Sequence, residues 1–378
     1  MIITISILSG IALSVVLFMA LNPQFGARAN KETQLTYEQS EQFRKGKFAN
    51  ISDVKIDMSG ENFWAMMKEQ FNMHPDATPH HAPNFVAMDS SNLADYNGDM
   101  RLFWFGHSSF LIQTNGKNIL IDPMLGPSAS PVQVFSVKRF NKSLPITIEQ
   151  LPKIDIILIS HDHYDHLDYY TIKKLKDKTD KFYTPLGVGA HLHAWGVDKS
   201  QITELDWWQE LRHEDLTFAC TPAQHFSGRG KWFNDQASTL WCSWVIKTNE
   251  KNIFFSGDSG YGDHFKAIGK KYGPFDLALM ECGQYNELWK EIHMMPEETI
   301  TAGNDIGAKA VMPIHWGVFR LAMHDWLEPI TRASAKAQEI GMPVLTPQIG
   351  DGLILNGELP QTVQWWKTQE SQQLIVNK

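Results

Sequence analysis

The sequence predicts an α+β fold in which two β-sheets pack face to face with helices on the outside. Three observations predict it. Short apolar runs of strand length dominate from Arg101 onward, stretches with helical spacing fall between them, and several runs stop abruptly at a His or Asp next to Gly or Pro. The chain is long enough for this: 378 residues with 43% hydrophobic and 20% charged side chains can bury a sizeable core.

The first element is an uncharged apolar stretch, Ile2 to Leu21, long enough for one bilayer span. It predicts a single-pass membrane anchor. Ala27-Arg28-Ala29 resembles a signal-peptidase site, so a cleaved signal peptide is the alternative, although the basic n-region of such peptides is missing. Arg28, Lys31, Arg44 and Lys45 follow the stretch and no basic residue precedes it, which favours a domain on the cytoplasmic side by the positive-inside rule and leaves the side open. Residues 22–100 read as a linker and N-terminal arm. They contain one helical pattern, Glu61 to Phe71, and then a Pro/His-rich loop with His74, His80 and His81.

Residues 101–378 form the main domain. Strands are expected at Arg101 to Phe105, Ser109 to Gln113 and Asn118 to Ile121, the last two joined by a hairpin turn at Asn115-Gly116. Further strands are expected at Ile154 to Ile159, Leu216 to Cys220, Trp241 to Lys247, Asn252 to Phe255, Leu277 to Met280 and Ala310 to Ile314. Helical spacing covers Tyr169 to Lys176, Asp263 to Lys271, Pro296 to Asp305 and Glu328 to Ile340. A formal net charge of -8 argues against nucleic-acid binding, which needs an excess of Lys and Arg. Cys220, Cys242 and Cys282 are odd in number and lack CxxC spacing, so they read as buried hydrophobes and not as a disulfide framework.

The chemistry concentrates in Ser160-His161-Asp162-His163-Tyr164-Asp165-His166, directly after the run Ile154 to Ile159. In extended backbone His161 and His163 point to one side and can grip one metal ion; Asp165 and His166, where the chain turns, can face a second. Three later runs end in the same way, at His225, Asp258 and His315. His161, His163 and His225 can occupy one ion and Asp165, His166 and His315 another, with Asp258 between them. Imidazole and carboxylate without thiolate suit two Zn2+ ions, with iron or manganese as alternatives. Such a pair activates water for hydrolysis. His191-Leu192-His193 repeats the His-x-His spacing in a helical context, where positions i and i+2 diverge, so it is left out of the metal set. His107 and Asp122 can each be a partner of a ligand or a purely structural residue.

With later His, Asp and His residues, this His-x-His-x-Asp-His pattern resembles the metallo-β-lactamase superfamily. That resemblance implies a four-layer αββα sandwich. Ala129-Ser130-Pro131, Lys138-Arg139-Phe140, Glu204-Leu205-Asp206-Trp207-Trp208, Gly257-Asp258-Ser259-Gly260-Tyr261, Gly273-Pro274-Phe275-Asp276-Leu277-Ala278 and Ile314-His315-Trp316-Gly317 resemble the N-acyl-phosphatidylethanolamine-hydrolysing phospholipase D family. The likeness runs from about Arg101 to Pro329. It implies the seven ligands named above, with Asp165, Asp258 and His293 as catalytic residues, His293 lying near the metals and orienting the substrate. In the animal enzyme a Gln precedes the residue matching His293, whereas Ile292 stands here.

The expected activity is therefore a phospholipase D-type phosphodiesterase acting on a phospholipid or other small ester at a membrane surface. The chain is allowed to act as a homodimer. A lactonase or other ester hydrolase is the alternative on the same site. A di-iron redox module is disfavoured by His163, where redox relatives carry Glu, and an inactive scaffold is disfavoured by the complete ligand set.

Overall fold

Apolar alternation and turn chemistry produce the elements in the computed structural model, which describes residues 2–54, 60–94, 96, 98–132, 137–230 and 234–367. The N-terminal part comprises helix α1 (Ile2–Leu21), α2 (Lys31–Tyr37), the short strand pair β1 (Phe43–Arg44) and β2 (Lys47–Phe48), α3 (Gly60–Phe71) and α4 (Ser90–Leu93). The side chains of α1 are described from residue 7. Ile7, Leu8, Ile11 and Leu13 are exposed, whereas Met19 is buried and Phe18 packs edge-on against Phe25. Among the described residues no helix is long and apolar enough to cross a membrane.

The first sheet comprises β3 (Arg101–Trp104), β4 (Phe110–Thr114), β5 (Lys117–Ile121), β6 (Ile154–Leu158), β7 (Thr179–Pro185) and β8 (Ile202–Leu205), with α5 (Tyr169–Leu175) and α6 (Gly189–Ala194) crossing between the last three. The second comprises β9 (Glu210–His213), β10 (Leu216–Thr221), β11 (Ser243–Lys247), β12 (Asn252–Phe255), β13 (Leu277–Glu281) and β14 (Val311–Ile314), with α7 (His264–Tyr272) and α8 (Pro296–Asp305) as its crossovers. The chain continues through α9 (Glu328–Ile340) to β15 (Gly352–Ile354), which returns to the edge of the first sheet beside β3.

Both sheets follow one plan. β3-β4-β5 and β9-β10-β11-β12 are antiparallel meanders; β5-β6-β7-β8 and β12-β13-β14 are then parallel, joined by a long loop from β5 to β6 and by helical crossovers elsewhere. The parallel strands of each sheet thus point their C-terminal ends at a common edge, where α/β folds place their sites. Asn115 and Gly116 both take positive φ, which matches the two-residue hairpin expected there.

Burial sorts into three layers of side chains. Between the sheets lie Trp104, Phe110, Ile156 and Leu158 against Phe218, Trp244, Phe255 and Met312. Outside the first sheet, Ile157 and Ile159 pack on Ile172 and Leu175 of α5; outside the second, Phe254 and Met280 pack on Phe265 of α7 and Ile300 of α8. This is an αββα sandwich. Each fully buried Trp removes roughly 200 Å² from water, an upper estimate of about 5 kcal/mol at ~25 cal/mol/Å². Cys220, Cys242 and Cys282 are buried and free.

Several strands lie outside the expectations. β7 carries mixed polarity and ends in Pro185, β8 and β9 are half-exposed edges, and β15 is three residues long. None shows a clean apolar run. The arm is also more than a linker, since Tyr37 and Phe48 belong to the core between the sheets.

Candidate metal centre

Strand ends supply almost every polar side chain of the centre. His161, His163, Asp165 and His166 follow β6, His225 follows β10, Asp258 follows β12 and His315 follows β14. Gly257 makes the turn into Asp258 at φ +57. A Cβ there would sit 2.7 Å from the Cys242 carbonyl oxygen and 2.9 Å from the Ser160 Cβ, so only glycine lets the two loops approach.

The side chains converge in two sets. In the first, His161 Nε2 lies 2.9 Å and His225 Nε2 3.2 Å from His163 Nδ1. Burial, with neighbouring imidazoles, holds His161 and His225 well below the usual imidazole pKa, and burial takes His163 to about 4. These are neutral rings whose nitrogens crowd one point, and a proton can serve only one pair of them at a time. The spacing is close to the ~3.3 Å edge of a tetrahedron with metal–nitrogen bonds of about 2.0–2.1 Å. In the second set, ligand atoms of His107, Asp165, His166 and His315 all lie within 4.8 Å of one another.

Asp258 reaches both. Its Oδ2 is 3.8 Å from His161 Nε2 and from His225 Nε2 and 3.1 Å from His166 Nε2, and its Oδ1 is 3.2 Å from His315 Nδ1. Burial pushes its carboxyl up to about 6. Asp258 Oδ1 and His166 Nε2 are both buried without a hydrogen-bond partner, an arrangement that fits a cation and is costly without one. The donor set therefore suits a pair of divalent ions.

The surrounding contacts fix the rings. Asp122, at the end of β5, accepts from Ser160 N at 2.7 Å and Ser160 Oγ at 2.5 Å, and its Oδ2 lies 2.7 Å from His166 Nδ1. Asp122 thus faces the His166 ring as well as starting the turn before Pro123. His107 Nε2 lies 2.8 Å from Asp165 Oδ2, and the ring is buried. His107, Asp122 and His315 all hold positive φ (55, 38 and 67), backbone strain gathered where the side chains must be aimed.

Asp162, between the two first histidines, turns the other way. It accepts from Gly228 N (2.7 Å) and Thr239 Oγ1 (3.0 Å) and lies 3.1 Å from His191 Nε2. Burial alone would raise its carboxyl, but the His191 hydrogen bond and nearby charge outweigh it and hold it below the usual carboxylate range. His191 Nδ1 in turn accepts from Ala27 N, buried Arg229 donates Nε to the Gln24 carbonyl and Nη1 to the Asp162 carbonyl, and Trp195 Nε1 donates to the Pro23 carbonyl. Segment 23–27 is thereby fastened to the loop that carries His161 and His163. His191→Ala is expected to lower metal affinity by roughly 10- to 100-fold, as partners of ligand-bearing segments typically do, which competition against a chelator measures. An unchanged affinity would sink this link.

His191 did not enter the sequence-derived set because it cannot share an ion with His193. That exclusion is compatible with the geometry, but it overlooked the reach to Asp162. Asn50 was also missed, and the sequence carried no signal for it: its side chain donates to the His225 carbonyl and accepts from His225 N. Glu281 was missed despite a signal, since it ends an apolar strand just as the expected ligands do. Fully buried, it sits 2.6 Å from His293 Nδ1 through Oε1 and accepts from Ser259 N and Met294 N through Oε2. His293 offers a ring nitrogen within 4.8 Å of ligand atoms of Asp258 and His315. Of the loop histidines, His80 Nε2 lies 3.1 Å from Asp76 Oδ1, and exposed His74 groups with half-buried Asp76 and Asp325.

A β-lactamase superfamily domain matches residues 117–316. An uncharacterized protein of Mycobacterium tuberculosis is 38% identical over 340 residues, covering 87% of this chain and 88% of its own. N-acyl-phosphatidylethanolamine-hydrolyzing phospholipase D 1 of Caenorhabditis elegans is 32% identical over 250 residues, covering 62% of this chain and 69% of its own. Among solved structures, isothiocyanate hydrolase from Delia radicum gut bacteria superposes with a TM-score of 0.54 at 22% identity, over 68% of this chain and 99% of that one, a likeness of fold. With the sandwich and its His/Asp clusters in place, the chain belongs to the β-lactamase superfamily and is a metal-dependent hydrolase of the metallo-β-lactamase fold.

Proposed function

We propose that this chain is a dinuclear phosphodiesterase of the phospholipase D type, acting on N-acyl-phosphatidylethanolamine-like phospholipids. The observation that carries the dinuclear reading is Asp258, whose carboxylate stands within 3.8 Å of ring nitrogens from both sets. In this reading His161, His163 and His225 hold one ion, Asp165, His166 and His315 hold the other, and Asp258 is shared. Zinc suits these donors, and iron or manganese fits the same oxygen and nitrogen atoms. When bound, the pair lowers the pKa of a shared water and stabilises charge on the attacked group.

The chain's own residues do the rest. His107 holds Asp165 and Asp122 holds His166, so the ligands need little reorganisation. A cavity of about 450 Å³ opens beside His225, lined by Arg44 and Lys47 with one carboxylate, Asp53, and by Phe226 and Trp241 as apolar wall. The two cations outnumber the carboxylate, a balance that favours an anionic diester over a neutral ester. The likeness to the nematode phospholipase D supports the same substrate class. The exposed apolar residues of α1 support a membrane surface as the place of action, and the docking of segment 23–27 supports a helix that stays attached.

Full-length protein should carry two metal ions per chain and hydrolyse N-acyl-phosphatidylethanolamine in mixed micelles faster than an acyl lactone at equal concentration. Preference for the lactone would replace the phosphodiesterase reading with the lactonase one. Absence of stoichiometric metal in active protein would remove both.

A further inference from the structure

We infer that the cavity walled by Lys138, Arg139 and Arg320 is a binding site for a phosphomonoester-type anion, separate from the metal centre. It encloses about 490 Å³, and Thr78, Pro79, Val137 and Phe140 complete its described lining. None of the seven candidate metal ligands is among these residues. The inference is independent of the phosphodiesterase reading, because it rests on charge and shape and on no step of a reaction.

Three chain segments meet at this cavity, and none of them brings a carboxylate. Residues 77–88, 123–148 and 306–324 contain no Asp or Glu, although the whole chain carries a net charge of -8. Among the described residues no carboxylate pairs with Lys138, Arg139 or Arg320. Arg139 donates Nη1 to the Met124 carbonyl at 2.8 Å and Nη2 to the Phe105 carbonyl at 3.3 Å, and its Nε is buried without an acceptor. Burial takes its pKa down to about 10, so the guanidinium keeps its charge at neutral pH. Arg320 Nη1 meets the Met73 sulfur, a neutral partner. Lys138 is exposed. Three positive charges therefore share one space with no counter-charge from the chain, the setting in which an anion is most strongly drawn in.

The walls are held before any ligand arrives. Arg139 N donates to the Pro127 carbonyl at 3.1 Å, Phe140 N to the Val318 carbonyl at 2.8 Å, and Asn141 Nδ2 to the Pro83 carbonyl at 2.6 Å. The basic segment is thus tied to the loop after β5, to the loop after His315 and to the N-terminal arm, which lowers the cost of ordering it around an anion. Two guanidinium groups and an ammonium suit a phosphate dianion, whereas a singly charged carboxylate would leave two of the three charges unmatched. The cavity lies one aromatic ring from the metal centre: Arg139 Cζ stands 5.2 Å from the Phe319 ring centroid, and Phe319 meets His107 edge-on at 5.3 Å. Free phosphate and the head group of a phosphatidate at a membrane present the same chemistry to such a site.

Metal-loaded full-length protein is titrated with inorganic phosphate by calorimetry at about 0.15 M NaCl, where unspecific surface attraction is screened. Lys138→Gln and Arg320→Gln are each expected to weaken the affinity by roughly tenfold and the double variant by roughly 100-fold, with metal content unchanged. Phosphate held at the metal ions is common to all these proteins and drops out of the comparison. Arg139 stays in place because it also supports two backbone carbonyls. Lys138→Gln changes an exposed side chain and carries the test if Arg320→Gln does not fold. Flotation with phosphatidylcholine vesicles, with and without phosphatidic acid, separates the two sources. A gain from phosphatidic acid that the variants lose assigns the lipid head group, and a variant-sensitive response to phosphate alone assigns the free anion. No variant-sensitive response in either arm, or a loss of metal that accompanies the loss of phosphate, would overturn the proposal.

Discussion

Asp258→Asn is expected to lower kcat by roughly 10³-fold and to leave at most one tightly held metal ion per chain. The reason is the position of its two oxygens. Oδ2 lies 3.1 Å from His166 Nε2 and Oδ1 lies 3.2 Å from His315 Nδ1, while Oδ2 also faces His161 and His225 at 3.8 Å. An amide of the same shape replaces one oxygen by NH2, which offers no lone pair to a cation and brings no negative charge to offset two of them. The shape is conserved, so the thermal midpoint of the metal-free protein should move little. Elemental analysis and steady-state kinetics on the same preparation decide the matter. Two ions and undiminished turnover in the variant would mean that Asp258 is not shared.

Asp122→Ala is expected to be the most destabilising single change at the site, at roughly 3–5 kcal/mol, with metal affinity falling by roughly 10- to 100-fold. Asp122 is fully buried and takes three contacts, from Ser160 N, Ser160 Oγ and His166 Nδ1. Removing the carboxylate strands all three groups away from water and releases the ring that Asp258 faces. Asp122→Asn should recover part of the stability and less of the affinity, because it restores one acceptor without the charge. The measurement is a urea midpoint at constant m-value, with affinity taken from chelator competition. A loss below about 1 kcal/mol would show that other groups satisfy Ser160 and His166.

The sandwich was legible because its central strands are buried on both faces. Ile154 to Leu158 is apolar but for Asp155 and Leu277 to Met280 is apolar throughout, and a run of that kind is enough to read a buried strand. Edge strands carry no such run: Glu210–His213 alternates exposed and half-buried residues and reads as loop. The candidate ligands were legible for a different reason. Four cluster directly after one apolar run and His225, Asp258 and His315 each follow another, places where a polar residue has no packing role to explain it. His107 and Asp122 were half legible, since a residue that orients a ligand leaves the same trace as one that starts a turn. Asn50 and His191 act through contacts 175 and 29 residues distant in sequence. Only the packing of the arm and of α6 against the metal-bearing loops reveals them.

The way α1 is joined to the domain has a mechanical consequence. The helix ends at Leu21, Asn22 already donates its side-chain amide to the Pro131 carbonyl, and Pro23 is held by Trp195. A flexible tether would let a catalytic domain sweep a hemisphere and sample many orientations. This joint has no slack, so the domain keeps one orientation relative to the C-terminal end of α1. Lengthening residues 22–27 would convert this fixed joint into a swivel.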